Sequence, residues 1–396
     1  MIKRQLFIVC SYLLVVNMIL GVMRPMLSRL AYSMGASLTL IGVLGLVLGL
    51  SRTGTSILMG AVSDRLGRKI VLVIGICLLG ISSIGTGLSK TTSSLIIMQI
   101  ILGLAFTASL NTGVVCIADI MPTAKRGLAF GIGSTVLGAG FSLGSFLGGM
   151  MTQYWGYQAV YIGTGVFAVL GIVLAYMYVD DSAERNEMAI LPLLKHAKSI
   201  ILNKPILILS IGGALSFMVF GGLVVMFFPI YAMSIGMDHS TIGIMFAVRT
   251  AASTLVRFPG GIFSKGVIGQ WLLPISLIGT AVFALITPQL QSPALMMVFL
   301  VIEGISYGLY YTIGQLFAVN LSADVSRGLV LGSYATFSGI GGGILPFFMG
   351  IIADAVTIER MFQLTSIPVF IGAAVMIWRL VKANSSTTCL LYTSAA

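Results

Sequence analysis

Long apolar runs, each near the thickness of a membrane and separated by short charged or Gly/Pro/Asn/Ser breaks, fill this chain from residue 6 to residue 381. A helix that crosses a bilayer needs about 20 mainly apolar residues. Twelve runs meet that length: 6–31, 37–62, 70–89, 93–119, 127–152, 157–179, 205–233, 240–263, 271–289, 294–319, 329–353 and 360–381. Composition supports the same reading. Charged residues are 8% of the 396 positions and apolar residues 58%, whereas a soluble domain carries roughly 25% charged residues. Such a chain cannot cover a water-facing surface, so a soluble enzyme or a nucleic-acid binder is excluded. The run that follows Met1-Ile-Lys-Arg4 is too long for a signal peptide and ends at no small-residue cleavage site, so it is read as the first span. The expected class is an all-α integral membrane protein of twelve transmembrane helices.

The net charge of +11 is a statement about topology. With these spans, fifteen of the 22 basic residues fall on one side: Lys3, Arg4, Arg65, Arg68, Lys69, Lys125, Arg126, Arg185, Lys195, Lys198, Lys204, Lys265, Arg327, Arg379 and Lys382. Only Arg29, Lys90 and Arg360 fall on the other. Cytoplasmic loops carry the Lys/Arg excess, so both termini are expected in the cytoplasm, as an even number of spans requires. The expected location is the plasma membrane, with lipid the surrounding partner. Cys10, Cys77 and Cys116 sit in apolar runs and Cys389 in the tail, with no CxxC, and the two histidines, His196 and His239, lie in polar connectors. No metal and no cofactor is expected.

The chain is written twice. At a fixed offset of 201 residues, Ile41-Gly42 aligns with Ile242-Gly243, Gly60–Ser63 with Gly261–Ser264, Gly103 and Gly113 with Gly304 and Gly314, Arg126–Leu128 with Arg327–Leu329, Gly131 with Gly332, and Gly149 with Gly350. Two parallel six-span halves are one of the repeat arrangements of secondary transporters. The expected organisation is a six-helix bundle at 1–179, a cytoplasmic connector at 180–204, a second six-helix bundle at 205–382 and a tail at 383–396. The last eight residues, Cys389–Ala396, read as translated sequencing-adapter sequence and are assigned no role.

The loop after the second span reads Gly60-Ala-Val-Ser-Asp64-Arg65-Leu-Gly67-Arg68-Lys69. It resembles the cytoplasmic GxxxDRxGRK loop of the major facilitator superfamily, and Gly261-Ile-Phe-Ser-Lys265-Gly-Val-Ile-Gly269 stands where that family carries a second copy. The resemblance extends over about 5–382. It implies that Gly60, Asp64, Arg65, Gly67, Arg68 and Lys69 form a gating loop, with Asp64 as the latch; a plain topology anchor is the alternative. Lys265 replaces the acid in the second copy. Gly140-Phe-Ser-Leu-Gly144-Ser145-Phe-Leu-Gly148-Gly149 resembles the GxxxGPxxGG signature of proton-exchanging exporters, with Ser145 in place of proline. Close helix packing by small residues explains the same pattern. The arginine that many proton-coupled exporters carry in span four is Gln99 here, and Ala105 replaces one of the following glycines.

An ionised side chain at the bilayer centre costs at least ~2.5–3.5 kcal/mol, so those present should face protein or an aqueous cavity. Counting along the spans puts Arg249 and Glu303 near the midplane and Arg24 in the outer third of span one. Arg52 and Arg257 fall towards the cytoplasmic ends of spans two and eight. Their repeat partners are Leu48, Leu102, Val225, Ser253 and Ser56, so the repeated scaffold does not require them. Arg24 precedes Pro25, which suggests a helix break as its alternative role. Asp119 and Asp354 lie at helix ends and are read as structural, Asp119 paired with loop arginines. Tyr307 and Tyr310 follow Glu303 by four and seven residues and share roughly its helix face. By the family resemblance, Asn17, Arg24, Arg249, Glu303, Tyr307 and Tyr310 are candidates to meet substrate, and Arg52 and Arg257 extend that pathway.

These features describe a transporter of a small solute working by alternating access, as a monomer, with protons as the expected second partner and Glu303 as the carboxylate that carries one. Export of drugs or metabolites is favoured slightly, and movement of an organic anion by the intramembrane arginines is the alternative. A membrane receptor or enzyme is the remote one. No GxxxxGK[ST] phosphate loop is present, and no His/Asp/Ser or His/Glu cluster lies within the spans, so no enzymatic activity is expected.

Overall fold

Hydrocarbon offers no partner for a backbone N–H or C=O, so each apolar run must close its own hydrogen bonds as a helix. The computed structural model describes residues 2–121, 126–178, 204–264, 266–320 and 327–384, and every regular element among them is helical. Most of the connector, with His196, lies outside the described residues, as do Lys265 and the tail beyond 384.

In chain order the helices are α1 (Ile2–Ser33), α2 (Leu38–Leu66), α3 (Arg68–Leu88), α4 (Thr92–Phe106), α5 (Thr112–Ile120), α6 (Arg126–Met177), α7 (Lys204–Met218), α8 (Phe228–Ser234), α9 (His239–Phe263), α10 (Gly266–Ile286), α11 (Pro293–Asn320), α12 (Arg327–Gly343), α13 (Leu345–Ala355) and α14 (Ile358–Asn384). Widened π-helical turns at Thr107–Asn111 and Val219–Phe227 carry α4 into α5 and α7 into α8 without a break.

Among the described residues, eleven helical stretches are long and apolar enough to cross a membrane, and one of them, Gly131–Met177, has 47 residues. A straight helix of that length would reach about 70 Å, more than twice the ~30 Å hydrocarbon core. Gly156 interrupts it at φ 73° and ψ 171°, a backbone that L side chains rarely adopt. The break divides α6 into two spans, and it falls inside the gap expected at 153–156. At Pro25, by contrast, α1 continues without a break, so Arg24 does not mark a helix end.

The 201-residue repeat reappears in the atoms. Gly35 and Gly236, 201 apart, both adopt positive φ (81° and 86°) after α1 and α8. At both turns a reaching-back bond closes the helix, Ala36 N–H to the Ala31 carbonyl and Met237 N–H to the Ala232 carbonyl, each 3.0 Å, as in a Schellman cap. Ser37 and Asp238 then cap α2 and α9 by accepting from the N–H of Leu40 (3.2 Å) and Thr241 (3.1 Å). The bonding to Thr241 holds the Asp238 carboxyl below the ordinary carboxylate range.

Contacts between the two sets of helices obey the same symmetry. A Cβ on Gly42 would come 2.8 Å from the Pro346 carbonyl, and one on Gly243 would come 2.9 Å from the Ser145 carbonyl. Asp354 accepts from the N–H groups of Leu38 (3.0 Å) and Thr39 (2.7 Å), and its repeat partner Gln153 accepts from the His239 N–H at 3.1 Å. These seams join α2 to α12–α13 and α6 to α9. Along α2 the seam runs from Asp354 to Gly49, where a Cβ would lie 2.6 Å from Gly343 Cα. Beyond that point it loosens: Gly339 meets only Thr53, at 3.8 Å, and a Cβ on Gly54 meets nothing within 4 Å. Along this seam the halves are closed at the end holding the α1–α2 and α8–α9 turns and part towards the α2–α3 turn, whereas α6 and α9 stay in contact farther along, at Gly138 against Thr254 and at Ser134 against Arg257.

Candidate substrate and coupling site

Arg249 on α9 and Glu303 on α11 form a two-pronged ion pair inside the bundle. Arg249 Nε donates to Glu303 Oε2 at 2.6 Å and an Nη to Oε1 at 2.9 Å. The side chains are 2% and 0% exposed. Both carboxylate oxygens are therefore used, in the parallel geometry that makes guanidinium–carboxylate pairs strong and directional. The pair fits because Gly304 brings α11 against the α9 backbone, where a Cβ would collide with the Arg249 carbonyl. The π-helical turn after α7 delivers Phe220, whose ring lies 4.3 Å from the guanidinium carbon, and Tyr307 lies beside Phe220 at 4.9 Å from the same carbon. Phe220 and Tyr307 stack with centroids 4.4 Å apart. The equivalent positions in the first half are the buried Leu48 and Leu102, so packing alone is served there by apolar side chains.

The other expected residues distribute unevenly around this pair. Tyr307 stacks on Tyr311, 5.9 Å away. Tyr310 turns from the pair and donates its hydroxyl to the Leu209 carbonyl at 3.0 Å. Asn17 is buried at the contact of α1 with α6, with its amide donating to the Leu13 carbonyl at 3.1 Å. Arg24, Arg52 and Arg257 are all partly exposed. Arg52 lies 3.7 Å over the Phe106 ring and Arg257 lies 4.8 Å over Tyr311. An Arg257 Nη donates to Ser134 Oγ at 2.7 Å across the two halves, while its Nε is buried with no acceptor. Phe106, Phe220 and Tyr311 were not singled out from sequence, because an aromatic inside an apolar run has no polar signature; for Tyr311 the four-residue step from Tyr307 was the available signal.

Arg29 shows a different departure. Counting places it at the outer end of span one among the charges facing out of the bilayer, yet it is 1% exposed at the closed end, where its Nε donates to the Pro25 carbonyl (3.2 Å) and its Nη1 meets His239 Nδ1 at 3.1 Å. A neutral imidazole accepts that bond, so His239, expected in a connector, instead starts α9 and ties it to α1.

The Gly140-Gly144-Gly148 row packs on α1, against the backbones of Leu14, Met18 and Val22, and Ser145 Oγ donates to the Gly21 carbonyl at 3.1 Å. Gly149 faces the second half, with a Cβ 2.6 Å from Gly243 Cα. In the loop between α2 and α3, Gly67 takes φ 91°. Arg68 donates to Ser63 Oγ at 2.8 Å and pairs with Asp119 at 3.4 Å, the partner expected for that acid. Lys69 lies 5.6 Å from the Tyr176 ring and Arg65 is exposed. Gly60 and Asp64 lie on α2; the Asp64 side chain is outside the described part of the structure.

Asp354→Ala removes the acceptor of two N–H groups at the start of α2, a loss of about 1 kcal/mol for a helix cap. The closed end should open roughly fivefold more often, read as faster maleimide labelling of a cysteine replacing Met226, whose side chain packs on Gly45.

The profile of the Major Facilitator Superfamily matches residues 7–269 and 209–388. An uncharacterized MFS-type transporter of Methanocaldococcus jannaschii is 22% identical over 381 residues, spanning 92% of this chain and 95% of the relative. The quinolone resistance protein NorA of Staphylococcus aureus is 24% identical over 179 residues, 45% of this chain and 46% of that protein. Among solved structures, a bacterial homologue of the human lysosomal transporter Spinster, in an inward-facing and occupied conformation, superposes with TM-score 0.81 at 16% identity, covering 100% of this chain and 99% of its own. The nucleoside transporter NupG superposes with TM-score 0.79 at 16% identity, covering 96% and 99%. At these identities the likeness is one of fold.

Proposed function

This chain belongs to the Major Facilitator Superfamily, and from that premise we propose that it is a secondary active transporter of the cell membrane that moves a small solute by alternating access, driven by protons. The carrying observation is the seam of α2 with α12–α13, tight from Asp354 to Gly49 and loose beyond it. Two bundles packed most closely at one end can rock about a central site and expose it to each side in turn. The Lys/Arg bias supports a cytoplasmic location for the open end and both termini. Glu303 is the group we assign to proton carriage, since burial favours a protonated carboxyl and an adjacent guanidinium favours an ionised one. A pair whose separation changes between the two states can therefore load and release a proton. Export is the direction we favour, on the likeness of the α6 glycine row to the exporter signature.

The direct test is purified protein in liposomes loaded with a solute panel, with and without a pH step. Solute movement that stops when the protein is omitted, and is steered by the pH step, supports the proposal. Flux that ignores the pH step removes the proton. In the same assay, Asp64→Asn should depress transport while insertion and yield stay unchanged, because neighbouring Arg65, Arg68 and Lys69 already supply the topology charge. Full activity in that variant would reduce the loop to an anchor.

A further inference from the structure

Four guanidinium groups approach the centre of the bundle, and among the described residues one carboxylate answers them. Glu303 spends both oxygens on Arg249. Arg24, Arg52 and Arg257 have no carboxylate in ion-pair range among the described residues. They come from both halves: α1 and α2 supply the first two, α9 the third. Their surroundings are aromatic. Arg52 caps the Phe106 face, Arg257 caps Tyr311, and Tyr311 stacks on Tyr307 with the ring planes 27° apart. Arg24 and Arg52 lie within electrostatic range of each other and of Tyr307. The buried Arg257 Nε still lacks an acceptor.

Like charges converging in a low-dielectric cavity repel, and each is costly without a counter-charge. An anion placed among them satisfies the free donors and removes that repulsion. The stacked Tyr307 and Tyr311 rings offer an apolar wall beside it, suited to the face of a flat group. We propose that Arg24, Arg52 and Arg257 form the binding site for an organic carboxylate with a flat apolar body, its charge among the guanidiniums and its body along Tyr307 and Tyr311. The inference rests on reading the chain as a small-solute transporter and gives that solute its chemical class. Because the three arginines come from both halves, the bound anion would also draw the halves together.

The test measures binding, not flux, on the full-length protein in detergent, with 2-naphthoate, the neutral 2-naphthamide and the cationic 2-naphthylmethylammonium. Naphthoate should bind in preference to both analogues. Arg52→Gln and Arg257→Gln should each weaken it roughly tenfold or more, as expected for loss of a charge-assisted hydrogen bond, while the peripheral Arg379→Gln leaves it unchanged. Gel filtration checks folding, and Arg24→Gln reads the same site should either variant fail to insert. Equal binding of the amide or the cation, or unchanged affinity in the arginine variants, overturns the site. So does displacement of naphthoate by phosphatidylglycerol at stoichiometric ratio, which would mark a lipid-headgroup site. The two readings fail separately: naphthoate binding without any liposome flux would contradict the transporter, whereas flux of some other solute without naphthoate binding would contradict only the anion site.

Discussion

Replacing Glu303 by glutamine should abolish accumulation driven by a pH gradient while solute exchange at equal pH continues. Glutamine keeps the shape and one acceptor oxygen for Arg249 but cannot titrate. With one proton per solute, a step of one pH unit is worth 1.36 kcal/mol, roughly a tenfold accumulation ratio; in the variant that ratio should fall to unity. Tenfold accumulation surviving the substitution would show that Glu303 is not the coupling group. A static ion pair behaves differently. Removing one member of a buried pair leaves the other uncompensated, at a cost of about 3–5 kcal/mol, so a purely structural Arg249–Glu303 bridge would be revealed by loss of folded protein in Glu303→Gln. An apolar double substitution that copies the first half, Arg249→Leu with Glu303→Leu, would then recover folding, as Leu48 and Leu102 already serve the equivalent positions.

The second large effect is expected at a glycine. Gly149 and Gly243 meet backbone to backbone, and a Cβ on Gly149 would come 2.6 Å from both Gly243 Cα and the His239 carbonyl. Neither neighbour can rotate away as a side chain could. Gly149→Leu should therefore wedge the closed end. Overpacking of this kind costs roughly 1–3 kcal/mol, enough to shift the balance between the two states about 5–150-fold. Turnover should fall correspondingly while the protein still inserts and elutes as a single species. The repeat partner Gly350, packed on the backbone of Leu38 and Thr39, should respond alike. Gly163, with nothing within 4 Å of its Cβ position, should tolerate leucine with full activity. Comparable losses at all three positions would attribute the effect to helix propensity.

Much of the architecture was readable from the sequence, because hydrocarbon imposes one rule on every span. Span number, the two-fold repeat and its 201-residue register followed from apolar length and glycine spacing. The paired turns at Gly35 and Gly236 and the matched acceptors Gln153 and Asp354 obey the same register, although the latter pair shares no side-chain identity and a residue-matching comparison passes over it. The central pair was legible too, since a charge deep in an apolar run stands out. What surrounds it was not. Phe220 reaches Arg249 from a π-helical turn that no hydropathy pattern marks. Choosing between Tyr310 and Tyr311 by counting residues from Glu303 fails by one position: a hundred degrees of helix rotation sends Tyr310 to Leu209 and leaves Tyr311 beside Arg257. Arg29 counts only as a charge at the outer end of span one, because span ends are drawn by composition, and its bond to His239 requires knowing which helices meet at the closed end.

Alternating access itself is most directly tested by distances between spin labels at repeat-related positions, two at each end of the bundle. In a background without Cys10, Cys77, Cys116 and Cys389, one labelled pair replaces the exposed Ser33 and Ser234 at the closed end, and another replaces Leu66 and Val267 at the open end. Across a shift in pH or on adding a transported solute, the two distance distributions should move in opposite directions, the Ser33–Ser234 pair lengthening as the Leu66–Val267 pair shortens. Gly149→Leu should hold the first pair long under every condition. Distributions at both ends that stay fixed, or lengthen and shorten together, would contradict two halves rocking about a central site.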